Sequence, residues 1–106
     1  MTWQRDREQG YEAQFAHQET AAFRAAAHRN RLLARWVAAL MGLRHRDVDS
    51  YVQTLVTGDV AHLRGRSVVA KIVRDLHAVG VTVPQAQVEA MFDHLDAQAR
   101  AEIATE

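Results

Sequence analysis

The sequence predicts an all-α protein, a four-helix bundle whose long first helix overhangs the bundle or is disordered over its first part. Three observations carry this. Larger apolar residues recur at helical spacing in four separate stretches. Five glycines and one proline are all that interrupt 106 residues, and 19 of those residues are alanine, the strongest helix former. The stretches are also bounded by residues that start or stop helices, among them Gly42, Ser67, Gly80 and Pro84.

The first stretch runs from about Trp3 to Met41 without a proline. At 100° per residue, Tyr11, Phe15, Ala22, Ala26, Leu33, Val37 and Leu40 fall within about 40° of one line. Gly42 follows as a natural C-terminal stop. The second stretch puts Val48, Tyr51, Val52, Leu55 and Val56 on one face, with Asp47 and Asp49 in the first turn, where the helix dipole favours negative charge. Its start is poorly capped, since residues 44–46 are Arg, His and Arg. The stretch "TGDVAHLRGR" reads as a loop. The third helix, "SVVAKIVRDLHAVG", has Ser67 as its N-cap, Val69, Ile72, Val73 and Leu76 as its core face, and Gly80 as its stop. The fourth opens with "TVPQ", in which Thr82 and Gln85 have capping-box spacing and Pro84 fits the first turn. Val88, Met91, Phe92, Leu95 and Ala99 carry its stripe to Gln98 or beyond, and the tail "AEIATE" is expected to fray.

Lengths make the first helix the unusual element. At 1.5 Å per residue it would run about 58 Å, against about 20 Å for the second and third and about 27 Å for the fourth. No single partner covers it. The part from Phe23 to Leu40, with Leu32, Leu33 and Trp36, is the expected central strand of the bundle, and the first 18 or so residues overhang. Gly10 costs about 1 kcal/mol relative to alanine in a helix, so the overhang is expected to be helical only part of the time. The division is a mobile N-terminal segment, 1–19, and a bundle, 20–106.

Composition bounds the function. The length suits one domain, and the 32 apolar residues larger than alanine suffice for a single small core. Without cysteine there is no disulfide or thiolate metal site. No apolar run approaches the ~18 residues of a membrane span, and "MTWQRDREQG" lacks the apolar core of a signal peptide, so a cytoplasmic protein without membrane insertion is expected. The zero net charge hides a partition: residues 1–20 carry −2, residues 21–46 carry six arginines and no acid, and residues 47–106 carry −4. The basic stretch is either a helix packed beside acidic ones or a surface for an acidic partner.

Catalytic chemistry finds little footing. Ser50, Ser67 and Lys71 stand in no motif, and "HRDVDS" offers a His45–Asp47–Ser50 set that reads more simply as a solvated helix start. The six histidines form no i, i+4 pair, and no Gly-rich phosphate loop is present. No cofactor is expected. Arg24, Arg31 and Arg35 could share one exposed side facing phosphates, but zero net charge and the lack of a helix-turn-helix pattern weigh against nucleic acid.

At "DRE" (Asp6 to Glu8), "YEAQFAH" (Tyr11 to His17) and "RNRLL" (Arg29 to Leu33) followed by Trp36, the sequence resembles the zeta subunit, the small inhibitor protein of alphaproteobacterial F-type ATP synthases. Gly42–Leu43, Tyr51, Gly58–Asp59 and Gly80–Val81 fall where that family has similar residues, and the resemblance spans essentially the whole chain. It implies an inhibitor and not an enzyme. The bundle would anchor a mobile N-terminal segment that inserts at a catalytic α/β interface of the F1 head, near the rotor, and blocks rotation in the direction of ATP hydrolysis. The implied binding residues are Asp6, Arg7, Glu8, Tyr11, Glu12, Phe15 and His17. Trp3, about two turns before Tyr11, would extend their apolar edge. The free protein is expected to be monomeric and, through F1, peripheral to the inner membrane. Gln14 stands where the family usually has lysine, "QET" at 18–20 replaces a run of acids, and Gly10 replaces a better helix former. Two other readings stay open: a non-inhibitory or self-associating helical interaction protein, and a nucleic-acid module using a helix from Arg24 to Arg46.

Overall fold

A computed structural model describes residues 2–57 and 63–106, with side chains from Thr20 onward. The described residues form four α-helices: α1 (Thr2–Met41), α2 (Arg46–Val56), α3 (Ser67–Ala78) and α4 (Gln85–Ala104). The all-α, four-helix architecture read from the sequence is the one observed. α1 is assigned as one helix through Gly10.

α1 is the central element and packs against all three others, most extensively against α4 and then α2. Its alanines explain how. Ala25, Ala26, Ala27, Ala34 and Ala38 are all buried, and small side chains let neighbouring helix axes approach closely. The same residues favour the helix intrinsically. Larger side chains then fill the space above and below. Leu33 and Val37 from α1, Ile72 and Leu76 from α3, and Val88 from α4 are the largest fully buried apolar ones. Tyr51, Val52 and Leu55 close the core from α2, and Phe92 from α4. Truncating any of the fully buried leucines or Ile72 to alanine is worth about 2–5 kcal/mol.

Two helix ends use the same device. Gly42 (φ +74°) and Gly80 (φ +78°) adopt the left-handed conformation that side chains disfavour. After Gly42, the N–H of Leu43 donates to the Ala38 carbonyl at 2.9 Å and that of Gly42 to Ala39 at 3.1 Å. After Gly80, the N–H of Val81 donates to Leu76 at 2.9 Å and that of Gly80 to His77 at 3.0 Å. Both are Schellman motifs. Leu43 and Val81, the residues just past the glycines, pack back onto the core and set the direction of the departing chain.

The poorly capped start expected for α2 is observed, and the starts of α3 and α4 differ from the sequence expectation. α2 begins after His45, whose φ of +54° makes it the one non-glycine residue with positive φ among those described, and no side chain caps the helix. Ser67 is the first residue of α3, and Arg66 occupies the cap position. At α4 the expected Thr82–Gln85 capping box is replaced by Pro84 as N-cap, φ −57° and ψ 139°, whose carbonyl accepts from Gln87 and Val88. A residue before proline is held out of the helical region, so Val83 does not open the helix, which starts two residues later than a Thr82 cap requires. At the other end α4 continues to Ala104, through most of the tail "AEIATE" that was expected to fray. Leu40, placed on the buried stripe by its spacing, is 38% exposed. The loop reading of residues 57–66 can be followed at its edges only, because 58–62 lie outside the described residues; Leu63 at its end is buried.

Candidate functional site

The side chains of Trp3, Asp6, Arg7, Glu8, Tyr11, Glu12, Phe15 and His17 lie outside the described residues; the backbone of all eight belongs to α1. What the described side chains define is the seam between α1 and α4.

The two helices run antiparallel, which three side-chain pairs record. Arg24 pairs with Glu106, His28 with Glu102, and Arg29 Nη1 donates to Asp96 Oδ1 at 3.0 Å. Arg24, Glu102 and Glu106 are about half exposed, so the first two pairs fasten a surface edge. Arg29 is different. It is 3% exposed, and its guanidinium also donates to the Leu63 carbonyl and to Asn30 Oδ1 at 3.1 Å. Asn30, 1% exposed, donates in turn to the Leu55 carbonyl at 2.9 Å. Burial depresses the Arg29 pKa, and Asp96 opposes that shift by hydrogen bond and charge. The pair keeps the guanidinium ionised inside the bundle. Its face also lies over Phe92, with Arg66 beside the same ring at 4.5 Å and hydrogen-bonded to Asp93 at 2.9 Å. One polar network thus ties α1, the end of α2, the chain before α3, and α4.

The sequence reading counted Arg29 among the six arginines of the basic stretch without placing it in the interior, and gave Asn30 no structural role. A signal existed. Asn30, Leu33 and Val37 are spaced i, i+3, i+7, so Asn30 falls on the buried face, and a buried amide needs partners.

Two open grooves flank the end of α4. One, of about 550 Å³, has alanine walls from Ala22, Ala25 and Ala26 with Arg29, Asp96 and Ile103. The other, of about 420 Å³, is lined by Phe23, Ala27, His28, Arg31, Glu102 and Ile103. Neither gathers a nucleophile with a base. His45, Asp47 and Ser50 are exposed at the start of α2, and no cluster of three His, Asp or Glu able to hold a metal occurs among the described residues. The basic run does not form one helix from Arg24 to Arg46: α1 ends at Met41, Arg44 lies in the link and Arg46 opens α2. Lys71 is part-buried between Asp75, at 2.6 Å, and the Tyr51 ring. Among the described residues no helix is long and apolar enough to cross a membrane.

A family model for the ATPase inhibitor subunit zeta matches residues 1–102. Comparison with curated proteins and with solved structures gave no match. The matched span takes in α1, α2, α3 and α4 as far as Glu102, including the whole seam. The chain therefore belongs to the ATPase inhibitor subunit zeta family, which makes it a regulatory subunit of an ATP synthase and not an enzyme.

Proposed function

We propose that this chain inhibits ATP hydrolysis by inserting its N-terminal segment, residues 1–19, at a catalytic α/β interface of the F1 head near the rotor, with residues 20–106 as the anchor. The observation that supports this most directly is a mismatch of lengths. α1 has 40 residues and α4, the longest other helix, has 20, about 60 Å against about 30 Å. A helix twice as long as its longest partner leaves a large part of its surface for another molecule. Tyr11 and Phe15, one turn apart, act as the apolar anchors, with Trp3 extending their edge. Asp6, Arg7, Glu8, Glu12 and His17 set register through charge. The anchor is well suited to its task, since the Arg29 network and the apolar core hold four parts of the chain together. Bound to F1, the protein sits on the cytoplasmic side, peripheral to the inner membrane.

The test is ATP hydrolysis by F1 titrated with the full chain and with the chain lacking residues 1–19. Inhibition by the first and its loss in the second are expected. Equal hydrolysis in both would overturn the inhibitory role.

A further inference from the structure

Between Arg24 and Ala38, α1 is buried around most of its circumference, and the strip left open there is basic. Ala25 to Ala27, Arg29, Asn30, Leu33, Ala34, Val37 and Ala38 are buried; at 100° per residue they sweep through roughly 220°. Opposite them, Arg24, His28, Arg31 and Arg35 follow one another at i, i+4, i+7 and i+11. They lie within about 40° of one line and extend about 16 Å along the helix.

The lower half of this stripe already has its partners. Glu102 and Glu106 of α4, themselves i and i+4, pair with His28 and Arg24 in antiparallel order. The same series of α4 then continues with Gln98, whose amide donates to Glu102 at 2.8 Å, and with His94. Neither is an acid. Asp96 is held by Arg29 and Arg100, and Asp93 by Arg66. Glu102 lines the same groove as Arg31 but is engaged by His28 and Gln98, and among the described residues Arg31 and Arg35 form no ion pair.

We propose that Arg31 and Arg35 are a docking surface for an acidic helix of the ATP synthase head, whose carboxylates, four residues apart, pair with them as Glu106 and Glu102 pair with Arg24 and His28. This rests on the ATP-synthase reading of the chain, and adds a second contact on the bundle itself. A protein helix suits the stripe better than a nucleic acid does. Glu102 and Glu106 border it, and a phosphate backbone long enough to use Arg31 and Arg35 would run into those charges. The chain as a whole is also neutral. Arg35 is exposed and Arg31 partly so, and docking through surface charges of this kind works on encounter and orientation, so it is steep in salt. It places the bundle against F1 while the N-terminal segment engages.

The experiment compares three full-length proteins, the wild type, Arg31→Glu/Arg35→Glu and Tyr11→Asp/Phe15→Asp, for affinity to F1 and for inhibition of its hydrolysis, at low and high salt. The arginine reversal is expected to weaken affinity at low salt by about tenfold or more, to flatten its salt dependence, and to leave inhibition at saturation intact. Arg31→Lys/Arg35→Lys should restore binding, since the contact needs charge at that spacing. Should the reversed protein lose its thermal transition, Arg31→Gln/Arg35→Gln, with a smaller loss expected, takes its place. Affinity unchanged by both the reversal and the neutral variant overturns the docking surface. So does a wild type that binds a short DNA duplex through Arg31 and Arg35 more tightly than it binds F1. Failure of the insertion reading shows separately, as undiminished inhibition in Tyr11→Asp/Phe15→Asp. A wild type that does not bind F1 overturns both.

Discussion

The guanidinium of Arg29 lies over the ring of Phe92, its central carbon 4.3 Å from the centroid. The contact is inside the bundle, and it binds the two longest helices through a charge that cannot be given up cheaply. Removing the arginine strips a partner from Asp96 and from the Leu63 carbonyl, and leaves a void against Phe92. Breaking a buried ion pair on one side costs about 3–5 kcal/mol. Asp96 is partly open to water, with 22% of its side chain exposed, which places Arg29→Ala near the lower end. Arg29→Lys keeps the charge but loses the plane that stacks on the ring and the fork that reaches three acceptors. It should cost roughly half as much. Urea denaturation of the full chain gives both values.

Gly42 and Gly80 have open space around them: a Cβ built at either meets no atom within 4 Å. Alanine there pays only for left-handed backbone, about 1–2 kcal/mol at each site. The two sites terminate different helices, so their effects should add in the double variant. Asparagine, which tolerates this conformation better, should cost less than alanine at both. Thermal unfolding of the five variants is the measurement.

Tyr51 donates its hydroxyl to Asp75 Oδ2 at 2.9 Å. Burial, then the hydrogen bond and the charge of Asp75, push its pKa well above the ordinary 10.0. A group whose pKa is raised on folding contributes stability that is complete below its unfolded value and is lost as pH rises through the folded one. The fold should therefore weaken progressively above about pH 10, where the unfolded chain releases a proton that the folded chain keeps. Tyr51→Phe should cost about 1 kcal/mol at neutral pH and flatten that alkaline decline. A decline as steep in Tyr51→Phe as in the wild type would assign it to other groups.

Helix existence was legible because it rests on local signals: four apolar periodicities, few breakers, and glycines at 42 and 80 followed by apolar residues that fold back. Helix starts were less so. Thr82 and Gln85 have the right spacing for a capping box, but Pro84 between them restricts Val83, and that local restriction outweighs the motif. Arg29 and Asn30 were hidden for another reason. A charged residue reads as surface until its partner is known, and Asp96 stands 67 residues away. The bundle's end at Ala104 was missed on the same ground, because Glu102 and Glu106 are held by His28 and Arg24 across the seam. The expectation of an inhibitory segment came from resemblance at "YEAQFAH", not from periodicity, which shows only that Tyr11 and Phe15 share an edge.

That seam makes the end of α4 sensitive to acid. A hydrogen bond from Gln98, then the bond and charge of His28, hold the Glu102 carboxyl below its ordinary value of 4.5. A carboxyl depressed on folding contributes stability that is present above its unfolded value and is lost as pH falls through the folded one. As the pH drops below about 4.5, Glu102 should release His28, and the last turn of α4 should open before the core does. Glu102→Gln removes the charge at every pH and should produce the open end at neutral pH, leaving the acid step absent. Amide exchange resolved by residue reads both effects: faster exchange at Arg100 to Thr105, with Leu33, Ile72 and Leu76 unchanged. If the wild type instead loses protection across α4 and the core together, the end is not a separate unit. The clasp then belongs to the cooperative fold and not to its edge.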